Sequence, residues 1–231
     1  MSTHTHYQPV GFDVDHDCLA YCVGVNIFLL GATGRVGKEF LQLALAAGHT
    51  VSALVRDPSK VAASPSLMLF TGDIYDDDAL RSSFRSGTWD AVVNLIGTDP
   101  LKPSTVVTDA ARALVALCHE TQTSRYLAIS GTAEMPHTRI GGITLFIMRR
   151  TPVGHGIRDH DGALDIVASS SLDWALVGCP WIKDGPGLGT YTTADTFPGG
   201  MKSIHPADVA LAVFREFEAP AHHQQIFGIW H

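Results

Sequence analysis

A short apolar run, Val25-Asn26-Ile27-Phe28-Leu29-Leu30, breaks into Gly31-Ala32-Thr33-Gly34-Arg35-Val36-Gly37 and continues as Lys38-Glu39-Phe40-Leu41-Gln42-Leu43-Ala44-Leu45. The first segment reads as a buried strand, and the last spaces its apolar residues as a helix does. A strand turning through glycines straight into a helix narrows the choice of folds to those that stack helices on a sheet. Each glycine has a physical task. Gly31 takes the dihedrals of a tight turn, Gly34 leaves no side chain to block a pyrophosphate, and Gly37 lets helix and strand pack closely. The helix start adds unpaired N–H groups and a positive dipole end, which together favour a phosphate.

The next strand-like run, Val51-Ser52-Ala53-Leu54-Val55, ends at Arg56-Asp57-Pro58-Ser59-Lys60. A carboxylate in this place holds the ribose hydroxyls of NAD. Here Arg56 stands first, with Arg35 in the glycine loop and Lys60 close by. Such cations suit the 2′-phosphate of NADP through charge-assisted bonds. The same residues also suit a solvated turn in which Asp57 caps the following helix, or in which Asp57 turns toward the ribose.

Strand and helix patterns then alternate. Leu67–Phe70 is strand-like and leads through Gly72-Asp73-Ile74 to an acidic helix from Asp76 to Phe84. Asp90–Ile96 ends at Gly97-Thr98, and Pro103-Ser104 opens a helix reaching Glu120. Arg125–Ser130 is a strand, Arg158–Ser170 a helix, and Asp173–Gly178 a strand followed by Cys179-Pro180-Trp181-Ile182. This alternation predicts one α/β domain over 25–231, a Rossmann-like, doubly wound parallel sheet with helices on both faces. Ligands of such sheets lie beyond the carboxyl ends of the strands. The glycine loop, Arg56, Asp73, Gly97, Ser130 and Pro180–Ile182 therefore converge on one crevice. Two segments remain for substrate loops, 132–157 and 180–200. The first holds Gly141, Gly142, Gly154 and Gly156 and the patch Ile143–Met148 before Arg149-Arg150. It suits a lid over a hydrophobic, anionic substrate, or a short helix packed on the sheet edge or on a second copy.

Composition removes several classes. The 231 residues are 45% hydrophobic with a net charge of −7 and show no basic run, so neither nucleic acid nor a membrane is an expected partner. The four cysteines (Cys18, Cys22, Cys118, Cys179) form no CxxC pair and no metal spacing, and no metal site is expected. Cys18–Ala32 is nearly all apolar, like a signal-peptide core, but no Lys or Arg precedes Arg35 and the run ends in the glycine loop. The reading is a cytoplasmic protein, monomer or homodimer, with residues 1–24 as a flexible, polar extension carrying His4, His6 and His16.

The motifs GATGRVG, LVRDPSK, TGDIYD, DAVVNLIGT, YLAISGT and CPWIKDGP, in this order over residues 25–231, resemble the atypical short-chain dehydrogenase/reductase group that includes NmrA-like proteins and flavin (biliverdin-IXβ) reductases. The resemblance implies that Gly31, Thr33, Gly34, Arg35 and Val36 hold the phosphates of NADP(H) and Arg56 its 2′-phosphate. It implies that Asp73 and Ile74 flank the adenine, that Gly97 and Thr98 line the path to the nicotinamide, and that the backbone at Pro180, Trp181 and Ile182 meets the carboxamide. The chain departs from the group in places. None of the five tyrosines has a lysine four residues on, so the tyrosine–lysine pair of typical short-chain dehydrogenases is missing. A Thr-Ser pair of the flavin reductases becomes Ser130-Gly131, a histidine becomes Trp181, and a helical lysine becomes Asp165.

Candidates for chemistry follow from residue type and place. Ser130, at a strand end, suits a hydrogen bond to a substrate oxygen, to the ribose, or only to its own turn. His160 suits proton donation because imidazole titrates near neutrality, although Asp159 and His160 equally suit a helix start. Tyr191 is a further donor in a loop. Trp181 offers a flat wall for a planar substrate, or a core side chain. His205, before Pro206, suits the opening of the last helix. The expected function is NADPH-dependent hydride transfer to a conjugated small molecule: a flavin, quinone, tetrapyrrole or polyketide-derived aromatic. A nucleotide-sensing protein without turnover, and a non-redox isomerase, dehydratase or cyclase, suit the same scaffold.

Overall fold

The run before the glycine turn forms strand β1 (Asn26–Leu30), and four of its five residues are buried. Strands covered on both faces read as continuous apolar runs, which is why this one is visible in the sequence. The computed structural model describes residues 24–231; apart from Gly24, the extension and its histidines and cysteines lie outside the described residues. From β1 the chain runs through α1 (Arg35–Ala46), β2 (Thr50–Val55), β3 (Leu67–Thr71), α2 (Asp77–Arg85), β4 (Ala91–Asn94), α3 (Val106–Thr121) and β5 (Arg125–Gly131). It continues through α4 (Arg139–Met148), α5 (Gly154–Ala168), β6 (Asp173–Cys179), β7 (Trp181–Ile182), β8 (Thr192–Ala194), β9 (Ser203–Ile204), α6 (Pro206–Glu218) and β10 (Gln225–Trp230).

Eight strands form one sheet in the order β3-β2-β1-β4-β5-β6-β10-β8, parallel except for β8, while β7 and β9 pair separately. The order reverses between β1 and β4, so the chain leaves a crevice beyond their carboxyl ends, where nucleotides bind in doubly wound sheets. On one face α1 and α6 cover Ile27, Leu29, Val93, Leu127 and Val177; on the other α2, α3 and α5 cover Phe28, Leu30, Val92, Tyr126 and Leu176. The expectation of helices on both faces of the sheet holds. Among the described residues no helix is long and apolar enough to cross a membrane.

Two local readings change. The helix expected from Arg158 starts at Gly154, because its glycines serve contact rather than flexibility. A Cβ on Gly154 would stand 2.3 Å from the Arg149 carbonyl oxygen, one on Gly156 2.9 Å from Pro100, and one on Gly162 2.6 Å from Thr108 Oγ1. Asp159 and His160 thus sit inside the helix and do not start it. Asp159 instead accepts hydrogen bonds from the N–H groups of Val107 (3.2 Å) and Thr108 (2.9 Å), capping α3 from a neighbouring helix. Segment 132–157 contains a 3-10 turn, Thr132–Glu134, and α4, whose N-cap Thr138 accepts from Gly141 N–H. His205 does precede the last helix as its N-cap, with Pro206 in the first turn.

Candidate functional site

The nucleotide end of the crevice is built by forbidden volume. Gly31 holds φ +85°, and a Cβ there would stand 2.6 Å from the Leu95 backbone at the end of β4. A Cβ on Gly37 would come within 2.0 Å of the Gly31 carbonyl oxygen. The turn is closed by Gly34 N–H donating to that oxygen at 2.9 Å. Gly34 then caps α1 with no side chain, leaving the first-turn N–H groups around Arg35, Val36 and Gly37 for an outside acceptor. Thr33 lies exposed in the same loop. A glycine cradle, a bare helix start and a strand-order reversal at one place fit a dinucleotide's pyrophosphate.

At the end of β2, Asp57 accepts from Ser59 N–H (3.1 Å) and Ser59 Oγ (2.6 Å) and caps the 3-10 turn Pro58–Lys60. These hydrogen bonds hold its carboxyl below the ordinary range. Lys60 pairs back to Asp57 at 3.6 Å. The capping role considered for Asp57 is therefore the one it fills. Arg56 is left as the freest charge, 84% exposed along its side chain, with only a loose 3.8 Å approach to Asp73. Arg35 does not join it. Its guanidinium donates to Asp184 (2.9 Å) and to the Ile182 carbonyl oxygen (3.3 Å), because the loop after β7 supplies the nearest acceptor. The convergence of three cations at the end of β2 reduces to Arg56 and Lys60. Asp73 accepts from Tyr75 N–H at 3.2 Å, and Ile74 packs on the α2–α3 core. Gly97 follows β4 with nothing within 4 Å of where its Cβ would be, and Thr98 comes next.

Ser130 and Glu134 meet at the end of β5. Ser130 is in β5, in register with Gly178 of β6, and its hydroxyl donates to Glu134 Oε2 at 3.3 Å. Glu134 Oε1 is buried without a partner. Burial first, and the charge of Asp161 second, push the Glu134 carboxyl up to about 8. No pattern around SGTAE signals this residue; it was missed because its character comes from packing. Ser130 also lines a small cavity with His160, Asn94, Tyr126 and Leu164. The His160 imidazole has a buried, unpartnered Nδ1, and burial lowers its pKa, so it stands neutral at neutral pH. Asn94 was also missed: its amide donates to the Tyr126 hydroxyl at 3.1 Å and its carbonyl accepts Ile96 N–H, fixing the end of β4.

Tyr191 is not brought to this group. It packs on the α1–α6 core beneath the Arg215 guanidinium, 5.6 Å from its ring, on the sheet face opposite the Ser130 cavity. Trp181, after Pro180, is 57% exposed on the two-residue strand β7, so it is not a core side chain. Buried Asp208 of α6 holds the following loop by accepting Leu188 N–H (2.9 Å) and Gly189 N–H (2.8 Å). Helix α4, tied to α5 by the bidentate Arg149–Asp161 pair, presents Ile143, Phe146, Ile147 and Met148 to solvent, with the Arg150 guanidinium 3.6 Å over the Phe146 ring.

Known proteins agree with this architecture. Uncharacterized protein YwnB of Bacillus subtilis is 27% identical over 216 residues, covering 89% of this chain and 98% of its own. The structure of ChuY, an anaerobilin reductase from Escherichia coli O157:H7, superposes with a TM-score of 0.72 at 23% identity, covering 88% of this chain and 96% of that one. A short-chain dehydrogenase/reductase from Veillonella parvula in complex with NADP gives a TM-score of 0.73 at 13% identity, covering 90% and 94%. At these identities the structural likeness is one of fold. Residues 31–220, from the first glycine of the loop to the end of α6, match the NAD(P)H-binding family, and the chain belongs to that family.

Proposed function

We propose that the protein is an NADPH-dependent reductase that transfers hydride to a conjugated small molecule: a flavin, quinone, tetrapyrrole or polyketide-derived aromatic. The observation that carries this reading is the neighbourhood of a glycine cradle with exposed apolar surface: Arg35 of the cradle reaches the Ile182 carbonyl, one residue from the open face of Trp181. ChuY, a reductase by description, has this fold, and that supports the assignment of chemistry. The reduced nicotinamide supplies the hydride when bound. The protein's part is to orient and to exclude water. The α1 N-terminus takes the pyrophosphate, Arg56 the 2′-phosphate, and the backbone at Pro180–Ile182 the carboxamide. Trp181 and the apolar side of α4 press a flat acceptor toward Ser130.

The test is NADPH oxidation against FMN, quinones and biliverdin, with NADH in parallel. Turnover with NADPH well above NADH is expected, and tight NADPH binding with no turnover across the panel would overturn the reductase reading in favour of a nucleotide sensor. Coenzyme choice is tested separately. Since Asp57 is locked in its turn, Arg56→Asp is expected to weaken NADPH binding about 10- to 100-fold, the worth of one or two charge-assisted hydrogen bonds, and to leave NADH binding within a few-fold. Equal losses for both nucleotides would remove Arg56 from the 2′-phosphate.

A further inference from the structure

We propose that Glu134 stands neutral behind Ser130 and supplies, through the Ser130 hydroxyl, the proton that completes reduction of the acceptor. The inference rests on the reductase reading above and adds the source of the proton, which neither the glycine cradle nor the family assigns.

The geometry carries it. Glu134 ends the 3-10 turn that follows β5 directly, and this turn packs against α5 and β6. Its Oε2 is 3.3 Å from Ser130 Oγ, while Oε1 is sealed from solvent with no hydrogen-bond partner. A carboxylate with one oxygen orphaned in the interior is strongly disfavoured; a neutral carboxyl tolerates an orphan carbonyl oxygen far better. Close packing keeps this arrangement, since a Cβ on Gly131 would stand 2.8 Å from Glu134 Oε2. The replacement of a second hydroxyl by Gly131 in the Ser130-Gly131 pair thus makes room for the carboxyl. Of the charged neighbours Asp161 acts in the same direction and Arg149 against it, while hydrogen bonds from the Ser130 hydroxyl and the N–H groups of Gly131 and Glu134 also favour the carboxylate; burial outweighs them. Asp161 on α5 repels a carboxylate at Glu134, and Arg149, after α4, spends its fork on Asp161. His160 on α5 and Cys179 on β6 are both buried, and burial keeps both uncharged at neutral pH. The carboxyl, pushed up to about 8, is poised for donation near neutrality.

In the transfer, the acceptor gains a hydride at one end of its conjugated system, and the displaced electron pair moves to a conjugated oxygen or nitrogen. With the Ser130 hydroxyl turned from Glu134 Oε2 to the acceptor, that atom takes the proton of Oγ–H, and Oγ takes in exchange the carboxyl proton of Glu134, donated back across the same 3.3 Å. The products are the reduced acceptor, the oxidised nucleotide and a Glu134 carboxylate, which solvent reprotonates. Ser130 is the catalytic residue; Glu134 is the positioning residue and proton source behind it.

Infrared titration of the nucleotide-free protein reads the carboxyl directly. A protonated carboxyl band that persists at neutral pH, fades near pH 8 and is missing in Glu134→Gln is expected. For turnover, wild-type kcat is expected to fall as pH rises through about 8, because the donor form is lost. In Glu134→Gln that limb should vanish and kcat drop about 100-fold or more, with NADPH affinity within a few-fold of wild type. Ser130→Ala should keep the infrared band and lose rate, which separates handover from folding. A carboxyl that titrates in the usual carboxylate range, or an unchanged pH profile in Glu134→Gln, overturns the proton source and leaves the reductase reading standing. Absence of hydride transfer in the wild type overturns the reductase reading, and this inference with it.

Discussion

Gly37→Ala is expected to weaken NADPH binding by more than 100-fold and to destabilise the fold by about 1–3 kcal/mol, the usual cost of forcing a methyl into packed structure. The added carbon would lie 2.0 Å from the Gly31 carbonyl oxygen and 2.7 Å from its carbon. No flexible side chain is there to give way. Gly31 cannot retreat, because its own Cα already approaches the Leu95 backbone so closely that a Cβ would stand 2.6 Å away. The strain must therefore pass into the start of α1 and misalign the N–H groups that meet the phosphates. Fluorescence titration with NADPH and a thermal melt check both parts. Gly97→Ala is the control: with nothing within 4 Å of its Cβ, it should melt as wild type does. An alanine at 37 that binds NADPH within three-fold of wild type would show that the cradle is not what holds the nucleotide.

Removal of the Glu216 carboxylate should cost the most stability of any single change considered. Glu216 is 4% exposed and accepts from Arg125 (2.7 Å), from the N–H groups of Ala221 (3.1 Å) and His222 (3.0 Å), and meets His222 Nδ1 at 2.7 Å. Arg125, 8% exposed, would be left with Asp173 at 3.1 Å and the His222 carbonyl oxygen. Glu216→Ala strands a buried guanidinium and two N–H groups, at about 3–5 kcal/mol. Urea denaturation measures it. Arg125 opens β5 and Ser130 lies near its far end, so activity per folded molecule should be unchanged. A loss below about 1 kcal/mol would mean that Asp173 alone satisfies Arg125.

What was legible in the sequence was local. The glycine loop, the apolar strands, the acidic helix after Asp76 and the opening of the last helix at His205 are read from neighbours a few residues apart, and each stands where expected. What was illegible depends on contacts between distant segments. Arg35 reads in the sequence as a free phosphate-binding cation because its partner, Asp184, is remote in the chain. Tyr191 was grouped with Ser130 because a loop residue gives no sign of which sheet face it will cover. Gly154 and Gly156 looked like loop residues, yet they are places where α5 touches its surroundings at distances only glycine allows. Glu134 had no signature at all, since its properties follow from being enclosed beside Asp161.

The sheet divides the labour of change. The nucleotide half rests on β1, β2 and the glycine loop between β1 and α1, whose registers, buried side chains and close contacts constrain one another, so most substitutions there are felt. The half proposed to receive the acceptor hangs from α4 and the β7–β9 pair, where Ile143, Phe146, Ile147 and Trp181 face outward. Substitutions at those four positions remove little from the core, as exposed side chains carry little of the folding free energy. On the proposed function, a lineage built on this chain can exchange one flat acceptor for another by surface mutation alone, with the nucleotide cradle inherited intact.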